Sequence, residues 1–301
     1  MKLIYSFLSF LLYLSLISCE KEDFIEELEG QGDIETIKVL PSLSIDDSLV
    51  IKEHPEVEIE KFFSFKTKAT TTNQGFAIFN NMMFQCYHTN NIIDIIDLSI
   101  KKVTSSIFLE PEELVHCNDV NFGADFYEPE DKYPLLYIQQ RGYANKLNAY
   151  RIIEEDSLLS ASLIQTISFN PCSYSVTSIN STNNILYVMY GYNKARYLST
   201  FYVPNFKGGD ISLDMRNAIR TYILPSKKVI QDSAANGKYL YFLCGYGKEG
   251  EIWQIDMDTN EARVIDLPSY NLKGEPEGID CYEDGLLVSF LGRAVYKIRI
   301  L

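Results

Sequence analysis

The chain has 301 residues, enough for one large domain or two small ones. Its 46% hydrophobic content supplies a core and excludes global disorder, while a formal net charge of −14 repels phosphate backbones and so excludes nucleic acid as a partner. Tyr and Phe are plentiful, at 21 and 17, which favours strands over helices.

Residues 1–18 read as a signal peptide. Lys2 is its only charge, and the uncharged stretch Leu3 to Ile17 is short for a membrane span. Leu16-Ile17-Ser18-Cys19 resembles the lipobox of bacterial lipoproteins. That resemblance implies cleavage before Cys19 and acylation there, with palmitate-type chains, and two or more such chains anchor stably where one does not. The following Glu20-Lys21-Glu22-Asp23 looks like the signal some Gram-negative lineages use to send lipoproteins to the cell surface. The expected address is therefore the outer membrane, surface-exposed or otherwise periplasmic, through a lipid anchor at Cys19.

Residues 19–35 read as an acidic tether, and residues 36–61 as a β-prone segment with no assigned packing. Val57-Glu58-Ile59-Glu60 and Phe62-Phe63-Ser64-Phe65 have the alternation and aromatic content of strands. Beyond Cys19 the cysteines are Cys86, Cys117, Cys172, Cys244 and Cys281, with no C-x-x-C. Their spacing fits no zinc pattern, so they read as small buried hydrophobes with any pairing left open.

From residue 62 a repeat begins. The apolar triplets Met82-Met83-Phe84, Leu136-Tyr137-Ile138, Leu186-Tyr187-Val188, Leu240-Tyr241-Phe242 and Leu286-Leu287-Val288 have centres 54, 50, 54 and 46 positions apart. A strand-built period of that length is the signature of propeller blades. Each triplet is preceded by an inner-strand candidate: Gly75 to Ile78, Asn118 to Phe122, Tyr174 to Val176, Asp232 to Ala234 and Gly278 to Asp280. A third strand follows each triplet (Ile92 to Leu98, Leu147 to Ile153, Leu198 to Val203, Ile252 to Met257, Ala294 to Ile300). A fourth follows the first four (Val103 to Leu109, Leu163 to Phe169, Ala218 to Leu224, Arg263 to Leu267). The last unit lacks a fourth strand, and Phe62 to Phe65 is its expected donor. The sequence thus predicts an all-β, five-bladed β-propeller of four-stranded blades over 62–301, closed by an N-terminal strand. Phe24 to Leu28 and Asp210 to Arg220 are the only helical candidates.

In a propeller the loops leading into the innermost strands form one rim of the channel. The polar residues there are Gln74, His116 with Asn118 and Asp119, Cys172 with Ser173 and Tyr174, Gln231 with Asp232, and Glu275 with Glu277. Gln74, His116, Asn118, Tyr174, Asp232 and Glu277 are the candidate ligand-binding residues. Asn118, Asp232 and Glu277 form an oxygen-donor trio suited to Ca²⁺ or Mg²⁺ rather than zinc. The sequence contains no G-x-S-x-G elbow, P-loop, HExxH or dinucleotide fingerprint.

Gln74-Gly75-Phe76-Ala77-Ile78, His116 to Phe122, Tyr133 to Ile138 and Glu275-Pro276-Glu277-Gly278 carry a family resemblance over about residues 60–301. They resemble the five-bladed propellers of bacterial lipoproteins, similar to teichoic-acid-biosynthesis-C-like propellers in phage receptor-binding proteins. That resemblance implies the fold and a glycan-binding role. The Glu, Asn and Asp trio is also similar to the metal ligands of gluconolactonase-type six-bladed propellers, from which this chain departs in blade count and in lacking Asp-Gly-rich motifs. The expectation is a monomeric envelope lipoprotein that binds a glycan or cell-surface polymer at its rim without catalysis. The alternative is a divalent-metal hydrolase or lactonase acting in the channel.

Overall fold

The computed structural model describes residues 47–67, 69, 71–88, 91–110, 117–140, 145–156, 158–172, 174–192, 195–225, 228–272 and 274–301. The leader, Cys19, the acidic tether, the 24–28 helical candidate and His116 lie outside the described residues.

Strands dominate, in the order the apolar period dictates. Two short strands, β1 (Asp47–Ser48) and β2 (Val50–Ile51), precede β3 (Val57–Ser64). A first group runs up and down as β4 (Asn73–Phe79), β5 (Met82–Tyr87), β6 (Ile92–Asp97) and β7 (Lys102–Glu110). The second is β8 (Cys117–Phe122), β9 (Leu136–Gln140), β10 (Lys146–Glu155) and β11 (Leu158–Asn170). In the third, β12 (Ser175–Asn180), β13 (Ile185–Tyr192) and β14 (Ala195–Tyr202) are followed by β15 (Ile211–Asp214) and β16 (Arg220–Ile223). The fourth holds β17 (Ile230–Asn236), β18 (Tyr239–Cys244), β19 (Glu251–Asp256) and β20 (Glu261–Asp266). The last holds β21 (Pro276–Tyr282), β22 (Gly285–Phe290) and β23 (Ala294–Ile300). Tight turns connect them: Asn80 and Asn81 between β4 and β5 take φ of 48° and 61°, the left-handed pair that a two-residue hairpin requires.

Each apolar triplet lies in the second strand of its group, as the period predicts. Pairing at the outer edges departs from five separate four-stranded sheets. The long β11 pairs in parallel with β7 through Leu159 to Ser162 and with β15 through Ile167 to Asn170. The first two groups therefore merge into one nine-stranded sheet, beside two five-stranded sheets and one four-stranded sheet. β1 adds in parallel to β16, and β2 to β20. The 36–61 stretch thus contributes edge strands that its composition alone did not place. The expected helix from Asp210 to Arg220 is instead β15 followed by a short 3₁₀ turn at Met215–Asn217, because Ile211 and Leu213 pack into the second core cluster and pairing wins over helical periodicity.

β23 pairs antiparallel with β3 from Ala294↔Ser64 to Ile300↔Val57. The donated strand is expected at Phe62 to Phe65 but begins earlier, at Val57, because the alternating Val57-Glu58-Ile59-Glu60 continues the same ladder.

Five buried clusters lie between successive groups of strands. The fifth joins Phe63, Leu287 and Val295 of the last sheet to Phe76, Met83 and Ile96 of the first. Phe63 is 8% exposed and sits in this layer beside Phe65. Truncating it leaves a cavity that the packed sheets cannot fully fill. Phe63→Ala is expected to cost about 3–4 kcal/mol in urea-denaturation stability, whereas a loss under about 1 kcal/mol, the size of an ordinary surface substitution, would show that this layer is not part of the core.

Candidate functional site

Four innermost strands share one irregularity at the same end. In β4 the residues Gln74 and Gly75 together oppose Cys86, between the pairs Asn73↔Tyr87 and Phe76↔Gln85. In β8 the extra residue is Asn118, in β17 Gln231 and in β21 Glu277. A bulge re-aims one side chain and breaks the local ladder. Here it does so at the equivalent place in each strand and always at a carboxamide or carboxylate. β12 pairs regularly and instead opens just after Tyr174, whose carbonyl accepts from Gly191 N–H at 3.3 Å.

Side-chain carboxamides brace this end of the sheets. Gln85 Nε2 donates to the carbonyls of Gln74, Gly75 and Cys86 at 2.7, 3.1 and 2.8 Å. Gln139 Nε2 donates to the Ser175 carbonyl and hydroxyl, both at 2.5 Å. Gln231 Nε2 reaches Gly245 O at 2.9 Å and Glu275 Oε1 at 3.2 Å, linking two neighbouring groups. Three acceptors around the first and last groups, Asn73 Oδ1, Gln85 Oε1 and Ser289 Oγ, are buried without a partner among the described residues. Buried acceptors of this kind are costly unless something donates to them.

Further along the inner strands lies a set of acids, Asp119 and Asp232 one residue past their bulges and Asp280 three residues past its own. Asp119 Oδ2 accepts from Thr177 N at 3.0 Å, Asp232 Oδ2 from Ile279 N at 2.8 Å and Asp280 Oδ2 from Ile78 N at 2.5 Å. Asn121 Oδ1 likewise accepts from Ile179 N at 3.3 Å. Each bond runs from one inner strand to the backbone of the next group's inner strand. Asp119 and Asp232 are also in hydrogen-bonding contact with each other. They meet over Gly75, where an added Cβ would lie 2.6 Å from Asn118 O and 3.2 Å from Asp232 Cγ, so only glycine permits the approach.

Burial dominates the electrostatics. Loss of solvation pushes Asp119 up to about 6 against the relief of its hydrogen bonds, and pushes Asp280 up to about 7. Asp232 rises well above the carboxylate range through burial first and the Asp119 charge second. The two facing acids thus share protons rather than carry two charges.

The structure brings Gln74, Asn118 and Glu277 to the bulged end. Glu277 is 5% exposed there. Tyr174 lies at the same end but apart, its ring against Gly191, with Arg196 at its hydroxyl. Asp232 sits one residue deeper, and Gln231 holds the position equivalent to Asn118 and Glu277. Asp232 Oδ1 accepts from Ser233 N at 2.9 Å and Oδ2 from Ile279 N, so both oxygens of this proposed metal ligand already bind N–H groups. Among the described residues no three His, Cys, Asp or Glu side chains are grouped as a metal site. Sequence reasoning missed Asp119 and Asp280 as inter-strand acceptors; the available signal was an acid inside an otherwise apolar inner strand.

No protein-family model and no curated protein matches the chain. Among solved structures, glutaminyl cyclase from Myxococcus xanthus aligns with a TM-score of 0.54 at 10% identity, covering 84% of this chain and 98% of that one. Virginiamycin B lyase from Staphylococcus aureus aligns at 0.47 and 14% identity, covering 82% and 100%. At these identities the likeness is one of fold: the chain is an all-β protein of propeller type.

Asp280 makes stability depend on pH. Its carboxyl titrates near 7 when folded against an ordinary value of 3.8, so the folded chain binds the extra proton between those limits. This contribution is fully present below the ordinary value and is lost as pH rises through about 7. Asp280→Asn keeps an acceptor for Ile78 N–H and removes the titration. The urea midpoint of the variant is expected to fall less than that of the parent between about pH 5 and about pH 8; an unchanged difference would show that Asp280 does not titrate in this window.

Proposed function

We propose that the five groups of strands are the blades of a closed five-bladed propeller, with β3 completing the last blade, and that the bulged end of its inner strands binds a neutral polyhydroxylated ligand. The ring reading is supported by the core layer joining the last group to the first and by the bond from Asp280 to Ile78 N–H. The binding reading is carried by one observation, the repeated bulge that sets Gln74, Asn118, Gln231 and Glu277 at one end. Carboxamides accept from hydroxyls and donate to them, carboxylates accept from them, and the acidic surroundings repel anionic ligands. A glycan or cell-surface polymer has this chemistry. Tyr174 lies close enough in the chain to contribute ring contact, and His116 belongs to the same approach in sequence.

Leader and lipobox complete the proposal: an outer-membrane lipoprotein anchored at Cys19, displayed at the surface or held in the periplasm, acting as a monomer. Metabolic labelling with a palmitate analogue is expected to mark the parent chain and not Cys19→Ala, which would leave the membrane fraction. Equal labelling of both would remove the anchor.

A second reading, a metal-dependent hydrolase or lactonase using Asn118, Asp232 and Glu277, is favoured by the Asn118 backbone carbonyl and the Asp232 carboxyl converging beside Gly75. It fits the donors less well, because a Ca²⁺ or Mg²⁺ ligand must be deprotonated and Asp232 is held toward its neutral form. Elemental analysis separates the two: a stoichiometric ion that disappears in Asp232→Asn supports the enzyme.

Binding is tested by saturation-transfer NMR with neutral oligosaccharides. Gln231→Ala and Glu277→Gln are each expected to weaken binding about tenfold, the equivalent of one hydrogen-bonded contact. No neutral saccharide binding, or binding that both variants leave intact, would sink the proposal.

A further inference from the structure

Cys86 and Cys117 enter the same layer from opposite sides. Cys86 is the β5 residue facing the Gln74–Gly75 bulge, and Cys117 opens β8 immediately before the Asn118 bulge. Both side chains belong to the core cluster between the first two groups of strands, where they are 0% and 1% exposed. Cys86 Sγ donates to the carbonyls of Gly75 at 3.1 Å and Cys117 at 3.3 Å. Its thiol is also in hydrogen-bonding contact with the Cys117 thiol. The remaining described cysteines occupy other layers: Cys172 packs against the second cluster, Cys244 lies in the third and Cys281 packs against the fourth. Among the described cysteines Cys86 therefore has one partner within reach, and a disulfide between the two asks for Cβ atoms about 3.5–4.5 Å apart.

We propose that Cys86 and Cys117 form a disulfide bond that fastens the first two groups of strands when the chain matures in an oxidising compartment. The oxidant is an acceptor disulfide, small or protein-borne. One cysteine thiolate attacks it, forming a mixed disulfide and releasing one acceptor thiol. The second thiolate then attacks the cysteine sulfur of that mixed disulfide and releases the other. Two protein thiols lose two protons and two electrons, and the acceptor disulfide becomes two thiols. Burial holds the folded Cys86 thiol well above its ordinary range, since a thiolate has no solvation in this layer. Exchange therefore belongs to the unfolded chain, and the core afterwards shields the bond from reductant.

The setting rests on the envelope address proposed above, but the test does not. Full-length protein is unfolded, reduced, refolded in a mixture of oxidised and reduced glutathione, then alkylated in denaturant and digested. The expected product is one cross-linked peptide pair joining Cys86 and Cys117, 31 positions apart, which reductant separates. The oxidised protein is expected to melt about 5–10 °C above the Cys86→Ala/Cys117→Ala double variant, a shift that reductant added before refolding abolishes. Alkylation of both cysteines in the refolded protein, or a cross-link to a third cysteine, would overturn the assignment. A cross-link formed in glutathione but missing from protein taken from cells would refute the address and leave the bond standing.

Discussion

The inner strands of these sheets are edge strands, and every edge carries backbone N–H groups that no ladder satisfies. Packed toward one another, they have little water to turn to. The chain meets this with side chains: Asp119, Asn121, Asp232 and Asp280 each accept an N–H from the next group's inner strand. Ser233 Oγ adds a donor to Thr177 O at 2.9 Å. The bonds fix how far neighbouring groups slide along each other, which the apolar layers between them do not. Dispersion and burial hold the layers together, while the acids set their register.

Such acids are expensive to bury as ions, and the structure keeps them partly neutral instead. Asp119 and Asp232 face each other over Gly75, with each remaining oxygen occupied by a backbone or carboxamide N–H. This floor sits directly below the bulged residues, so the polar end of the sheets rests on a layer whose carboxyl oxygens are already hydrogen-bonded. Ordered strands clamped by Gln85 and Gln139 leave little conformational freedom at the bulged end.

Much of the fold was legible because burial imposes a period. The triplets centred on Met83, Tyr137, Tyr187, Tyr241 and Leu287 mark the second strands, buried on both faces and so nearly free of polar residues. Outer edges left no such mark. The pairing of β11 with β7 and β15 depends on backbone groups rather than side-chain pattern, and β1 and β2 are too short to show alternation. At the site, Gln74, Asn118 and Glu277 were legible as polar interruptions ahead of apolar strands. Asp232 was placed one residue too shallow, since a bulge shifts the register by one and nothing local in Gln231-Asp232 reveals which of the two is extra. The inter-strand acceptor roles of Asp119 and Asp280 were missed because their partners, Thr177 and Ile78, are remote in sequence.

The pairing of β3 with β23 also sets an order of events. Arg299 bonds Glu58 across 241 positions, and the whole ladder joins chain segments of similar separation. Contacts of such long range form late, because closing the intervening loop costs entropy before any contact rewards it. Until then β23 exposes a strand edge, and the N-terminal segment must stay extended enough to reach it. A nascent chain therefore passes through an interval in which its last sheet can accept a strand from another copy. Conditions that lengthen that interval favour domain-swapped or aggregated chains over correctly folded ones, so yield is governed by kinetics as much as by the stability of the finished fold.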